Sequence, residues 1–526
     1  MMNRTIDTRL KITFILLWAI VLSAALQLLP CADDWFIIGY MDRHEAWSIT
    51  TYRWLNNNPL LIRGYWRPIE DVLYFWEGRN PWVFPWIQHL LVVTCAFATG
   101  WTAYLIGKKI GVPPRRMLIT TCIAMPVATN MGALMSIDSL TQVMSAFWGL
   151  LSVYFYLSDK RYRYVMWILC GCMACMSKES GFIFFTVGPL LALAMDYSGC
   201  NFKLNRPKAG KLLSHRDFRY LLIGGVMCLL YLGIYFTMKN AWLDAGLDQP
   251  AQELIEHIGP TEDTDDGATE FLRTGHSHKL TPVTFVKNIA ILYGLAIYPA
   301  NVSSLYYGEY GWCLFSILLG WTGLALIVRM FRKAPSSIRR KAIAIACVAV
   351  VVSLPAMITR AGEISPFNSN MLFMIAVAML ASGYEFKRID KAFIIVFIAI
   401  TLVTDAYKYS LAYEGGRHGR DMAREVVALS PKNPGKVLWV GVDEEYADKA
   451  GLAFSRSAFR SFWRGAAAIA EYDYMYPRQL DQVIVTDVMG ADQIVDSIAN
   501  ARLKDYDCVW ITRGTDVRVL TERNSK

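Results

Sequence analysis

The chain has 526 residues, 54% of them hydrophobic and 18% charged, against the roughly one quarter charged of a soluble protein. That balance excludes an ordinary soluble enzyme. The formal charge of +9 does not indicate nucleic acid, because Lys and Arg stand in short clusters between apolar runs, the positive-inside pattern of membrane proteins.

The first apolar run, 11–30, leads into Cys31-Ala32-Asp33-Asp34. This is a poor cleavage site, so the run reads as a retained signal-anchor with Arg4, Arg9 and Lys11 in the cytoplasm. The loop 31–84 holds no lysine, several carboxylates and many tryptophans. Tryptophan favours the membrane–water boundary, so the loop is expected outside, lying on the surface as short amphipathic helices. Trp47, Ile49, Thr51 and Trp54 fit one such helix over 43–55.

Further spans are expected near 85–107, 117–132, 139–157, 164–177, 180–197, 220–238, 312–330, 342–358, 370–385 and 392–407. With the first they make about eleven, most of them near the ~20 residues that cross a hydrocarbon core. Backbone polar groups in lipid must be satisfied within the segment, so these runs are helices. Basic clusters at Lys108–Arg116, Lys160–Arg163, Lys203–Arg219, Arg332–Lys341 and Lys387–Lys391 are assigned to the cytoplasm. The acidic stretch 244–270, within a loop spanning 239–283, is assigned outside. A span at 284–300 would put the cluster after 329 on the wrong side, so 284–300, with Tyr298-Pro299, is read as re-entrant or interfacial.

After residue 407 the composition changes. Strand-like runs at 437–440, 483–485 and 509–511 alternate with helical stretches at 420–429 and 490–502. Residues 408–526 therefore read as a small extracytoplasmic α/β domain of a size that folds alone. Gly415-Gly416-Arg417-His418-Gly419-Arg420 reads as a linker rather than an anion site. The fold class is thus a polytopic α-helical membrane domain over 1–407 followed by that domain.

Cysteine usage gives no disulfide framework. Cys31 and Cys508 are both expected outside, which leaves one bridge between them open. Cys170, Cys172 and Cys175 have a metal-like spacing, but beside Gly171 and Ala174 they read as small residues for close helix packing. No metal-ligand set stands out.

Ionisable residues gather where the first several spans end on the outer side. Asp33 and Asp34 follow the first span, Tyr65-Trp66-Arg67-Pro68 lies later in the loop, and His89 stands near the start of the second span. Ser136-Ile137-Asp138-Ser139 and Ser177-Lys178-Glu179 mark the next two outer turns. Singly, each has a plain reading: a helix cap for Asp34 or Asp138, headgroup contact for Arg67, a local ion pair for Lys178-Glu179. Charged groups at bundle ends are costly unless paired or used. Together they would form a carboxylate base beside cations for an anionic ligand.

The order of these motifs resembles the GT-C superfamily of membrane glycosyltransferases over roughly residues 10–310. It is closest to the protein O-mannosyltransferases and the aminoarabinose transferases of lipid A. Asp33-Asp34-Trp35-Phe36 is also similar to the corresponding segment of the oligosaccharyltransferase catalytic subunit, and Tyr298-Pro299 with Tyr306 and Tyr307 to a later Pro/Tyr segment. Asp34 departs from the usual Glu of the O-mannosyltransferases, and the C-terminal segment matches no domain of theirs. The resemblance implies transfer of a sugar from a polyprenyl-phosphate donor to a lipid, glycan or protein acceptor. It implies Asp33, Asp34 and Asp138 at the catalytic centre, Arg67 and Lys178 on the donor phosphate, and Glu179, His89 and Tyr65 in support. Oligosaccharyltransferases use a divalent cation; for this chain the cofactor is left open and none is required by the sequence. A glycan polymerase or ligase and a lipid-linked glycan transporter remain as alternatives. Beyond Asn3-Arg4-Thr5 in the N-terminal segment assigned to the cytoplasm, the one sequon is Asn301-Val302-Ser303, and this scarcity favours a bacterial inner membrane.

Overall fold

The computed structural model describes residues 2–30, 67–69, 84–135, 137, 139–199, 214–244, 282, 285–286, 289, 323–358, 366–429, 437–441, 483–485, 508–513 and 516–522. Apart from residues 67–69, the loop 31–84 lies outside them, as do most of 239–283 and of the expected re-entrant segment. Cys31 also lies outside the described residues.

Helices dominate. They are α1 (Met2–Ala25), α2 (Phe84–Lys109), α3 (Pro114–Ala124), α4 (Ala128–Met135), α5 (Leu140–Tyr156), α6 (Arg163–Ser177), α7 (Phe184–Gly199) and α8 (Arg216–Asp244). A short helix α9 covers 323–333, followed by α10 (Ser336–Ile358), α11 (Phe367–Ser382) and α12 (Arg388–Leu429). Among the described residues, five helices are long and apolar enough to cross a membrane, and Arg163–Ser177 and Phe367–Ser382 are shorter apolar helices. Large apolar side chains face outward on several of them, including Ile15, Ile20, Val226, Leu230, Ile395 and Val403. Such a belt belongs in lipid, and the chain is a multi-pass membrane protein.

Two expectations are corrected. The span expected at 117–132 is two short helices, α3 and α4, interrupted at Met125-Pro126-Val127. Pro126 lacks an N–H and cannot continue the ladder. The glycine-containing segment 415–420 is no linker: it lies inside α12, which runs unbroken for 42 residues. Gly416 serves close approach there, since a Cβ would stand 2.7 Å from the Leu29 carbonyl oxygen.

Close packing elsewhere also rests on glycine. The rings of Phe184 and Phe185, from the start of α7, fill the space a side chain would need at Gly149 of α5 and Gly171 of α6. The small residues around Cys170–Cys175 thus serve helix contact, and those three cysteines are free thiols.

One end of the bundle gathers the basic clusters. Lys109 Nζ donates to Asp159 just beyond α5 at 2.7 Å, so α2 and α5 point the same way. Tyr156 Oη donates to Asp217 at 2.7 Å, tying the start of α8 to the same end. The Arg116 guanidinium lies 5.2 Å from the centre of the Phe386 ring. Arg329 of α9 pairs with the buried Asp390 at 3.1 Å, which also accepts from the Tyr384 hydroxyl and the Lys387 N–H at 2.9 Å each. Residues 108–116, 156–163, 214–219, 329–341 and 384–391 therefore share one face, here the basic end.

In the C-terminal segment, β1 (Val437–Gly441), β2 (Val483–Val485), β3 (Cys508–Arg513) and β4 (Asp516–Glu522) form one sheet in the order β2-β1-β3-β4. β1 is parallel to β2 and β3, while β4 is antiparallel to β3. The three strand-like runs of the sequence coincide with β1, β2 and β3. β4 was not expected, and it packs against α12.

Candidate active site

The end opposite the basic clusters holds the turn between α6 and α7. Lys178 leaves α6 in an extended conformation, φ −157° and ψ 140°, and Glu179–Ile183 form a single 3-10 turn before α7. This turn sits flat on α6. A Cβ on Gly181 would meet the backbone carbonyl of Ala174, so glycine is required there. α8 braces it: Tyr231 Oη donates to the Cys175 carbonyl at 3.3 Å, and Cys228 Sγ to the Phe182 carbonyl at 3.1 Å.

So held, Glu179 receives Arg67 in a two-pronged ion pair. Arg67 Nε donates to Oε2 at 2.7 Å and Nη2 to Oε1 at 2.9 Å. Both side chains are largely withdrawn from solvent, 12% and 30% exposed. The planar guanidinium matches a carboxylate in this geometry, where a lysine could offer one bond at most. Two motifs that are 112 residues apart thus meet at one point, with Lys178 beside them. The cluster Arg67, Lys178 and Glu179 carries a net charge of +1, a lower positive potential than two unpaired cations would give an anion.

The other expected site residues divide. Asp33, Asp34, Tyr65 and Asp138 lie outside the described residues. Their neighbours Ile137 and Ser139 are buried, and the Ser139 hydroxyl donates to the Ala133 carbonyl, closing the turn between α4 and α5. His89 is described, and it is fully buried on the inward face of α2 with Val92, Val93 and Ala96. Its neighbour Gln88 is fully buried too. A further polar contact, absent from the sequence reading, joins Asn370 Nδ2 of α11 to Asn130 Oδ1 of α4 at 3.2 Å, while Asn130 Nδ2 donates to the Ala124 carbonyl at 2.8 Å. Asparagines within otherwise apolar segments were the available signal for it.

Among the described residues, one set could gather on a metal ion: Asp196, His215 and Asp217, whose ligand atoms lie within 4.8 Å of one another. It lies at the basic end, at the opposite pole from Arg67 and Glu179. His215 Nε2 already stands 3.7 Å from Asp196, and Asp217 accepts from Tyr156 and Arg216.

No known protein family matches the chain by sequence, and no curated protein does. Among solved structures it is similar to ArnT from Cupriavidus metallidurans in the apo state, at 10% identity and a TM-score of 0.47 over 97% of each chain. It is also similar to the Archaeoglobus fulgidus oligosaccharyltransferase tethered to an acceptor peptide with the NVT sequon, at 12% identity and a TM-score of 0.43. That match covers 91% of this chain and only 64% of the oligosaccharyltransferase.

Proposed function

We propose that the chain is a glycosyltransferase that moves a sugar from a polyprenyl-phosphate donor to an extracytoplasmic lipid, glycan or protein acceptor. The observation that carries this reading is the Arg67–Glu179 bridge. It brings the Tyr-x-Arg-Pro and Ser-Lys-Glu motifs together at the end away from the basic clusters. By the positive-inside rule the basic end is cytoplasmic, so the bridge faces outward, where a flipped lipid-linked donor would arrive. In this orientation α12 rises from the basic end, and the strands that follow it belong to an α/β domain on the outer side.

In this reading the acceptor hydroxyl attacks the anomeric carbon once, with inversion. Its proton passes to the Asp33 carboxylate, and the bond from the anomeric carbon to the phosphate oxygen breaks. The phosphate leaves with the electron pair, steadied by Lys178 and by Arg67, whose fork Glu179 orients. Asp34 and Asp138 shape the site, with Tyr65 and His89 in support. Holding donor and acceptor together supplies much of the rate.

The test is sugar transfer in proteoliposomes containing polyprenyl-phosphate sugars. Asp33→Asn keeps the shape and removes the proton acceptor, so turnover should fall by about a hundredfold or more with donor affinity little changed. Asp34→Asn should cost less. Full activity in both variants would overturn the Asp33 base assignment, and no transfer by the parent from any polyprenyl-phosphate sugar would sink the transferase reading.

A further inference from the structure

The bundle interior holds polar side chains that no group among the described residues satisfies. Gln88 and His89 on α2 and Ser145 on α5 are 0% exposed, and Asn368 on α11 is 4% exposed. Among the described residues, both polar atoms of the Gln88 amide, both His89 ring nitrogens, Ser145 Oγ and Asn368 Oδ1 have no hydrogen-bond partner. A buried polar atom left without one costs about 1–3 kcal/mol, so a fold does not retain six of them at random.

Their placement is coherent. All four residues lie within the first two turns of their helices. α2, α5 and α11 pack against one another. α2 and α5 begin at the same end, because Lys109 and Asp159 join their far ends. Residues 384–390, which follow α11, lie at the basic end, so α11 also begins at the opposite end. That is the end carrying Arg67 and Glu179.

We propose that Gln88, His89, Ser145 and Asn368 form a binding floor for the hydroxyl groups of the donor sugar; this rests on the transferase reading and deepens it. Amide, imidazole and hydroxyl groups both donate and accept hydrogen bonds, as sugar hydroxyls do. None of the four is a carboxylate, lysine or arginine, so the floor suits a polyhydroxyl ring and not the phosphate. Recognition is divided: the charged rim takes the phosphate, the neutral floor the sugar.

The experiment measures binding to the full-length protein in nanodiscs. The probes are undecaprenyl phosphate carrying glucose, galactose, mannose or arabinose, and bare undecaprenyl phosphate. The parent should bind at least one sugar-bearing lipid more tightly than the bare lipid. Gln88→Leu and Asn368→Leu, close in size but apolar, should each remove about tenfold of that preference and leave bare-lipid binding unchanged. Their melting temperatures without ligand should hold or rise, because an unsatisfied polar group has been replaced by an apolar one. Ser145→Ala, the mildest change, gives the same test should a leucine variant fail to fold. Unchanged sugar preference in all folded variants overturns the floor alone. A fall in melting temperature without ligand on Gln88→Leu also overturns it, since the amide would then be satisfied within the protein. If the parent prefers none of the four sugars, the transferase reading fails with it.

Discussion

Arg67 is the largest charge partner of Glu179, and that decides how variants at either position behave. Hydrogen bonds to charged groups contribute about 1.5–3 kcal/mol each, and two are made here. Arg67→Ala removes the largest charge partner of a poorly solvated Glu179, and Glu179→Ala removes both acceptors of the guanidinium fork. Each single variant should therefore lower the melting temperature, and the double variant should cost clearly less than the sum of the two. A double-mutant cycle on thermal unfolding in detergent reads this directly, and strict additivity would show that the pair is not coupled. Arg67→Lys keeps the charge but loses the fork, so it should behave like a partial Ala variant. The sequence already placed Arg67, Lys178 and Glu179 in one site by motif order. It could not say that Glu179 occupies the guanidinium fork, because a pairing across 112 residues depends on how the helices fold back. Gln88 was passed over for a different reason: beside Trp86 and Ile87 it looks like one polar residue at a helix start, and only burial gives it meaning.

At the scale of single elements, the length of the apolar runs found most helices, since a lipid-crossing segment must be long, apolar and internally bonded. What escaped were interruptions and continuations. The α3–α4 break turns on one proline, and α12 continues through three glycines because the neighbouring chain at Leu29 packs against it. Local propensity weighs against helix there, and tertiary contact overrides it. The 3-10 turn at Glu179–Ile183 is the element most exposed to a single change. Gly181→Val would drive a side chain into the backbone of α6, so the turn must lift and Glu179 with it. Loss of Arg67-dependent stability in that variant, seen as a cycle energy near zero for Arg67→Ala, would confirm the coupling; an unchanged cycle would refute it. At the opposite pole, burial works against charge on Asp390, but the Lys387 N–H, the Tyr384 hydroxyl, Arg329 and Lys333 outweigh it and hold the carboxyl below its ordinary value. A depressed carboxyl contributes its stability above the unfolded value of about 3.9 and loses it as pH falls through the folded one. Asp390→Asn should thus lower the melting temperature by the same amount from about pH 5 to pH 8, and a difference that shrinks across that range would contradict the assignment.

For the whole molecule, the single basic end is the strongest constraint. α8 starts at this end and α9 finishes at it. Cysteine labelling on intact cells should reach Ser337→Cys and Lys208→Cys only after permeabilisation, and Ser48→Cys, Thr264→Cys and Asn500→Cys without it. Labelling of Ser337→Cys from outside would overturn the orientation. Strand positions in the C-terminal segment were legible because short β-branched runs stand out from polar surroundings. Its attachment was not, for α12 is about 63 Å long at 1.5 Å per residue, twice the hydrocarbon thickness of about 30 Å. The Arg67–Glu179 bridge also sets an order of events during biosynthesis. Residue 67 emerges from the ribosome 112 residues ahead of its partner, a delay of roughly 6–22 s at 5–20 residues per second. In the proposed orientation, the segment bearing Arg67 is translocated before its partner is made, and the pair closes only when the α6–α7 turn arrives. A nascent chain stalled before Glu179 should therefore leave this loop open to protease, and one stalled after α8 should protect it.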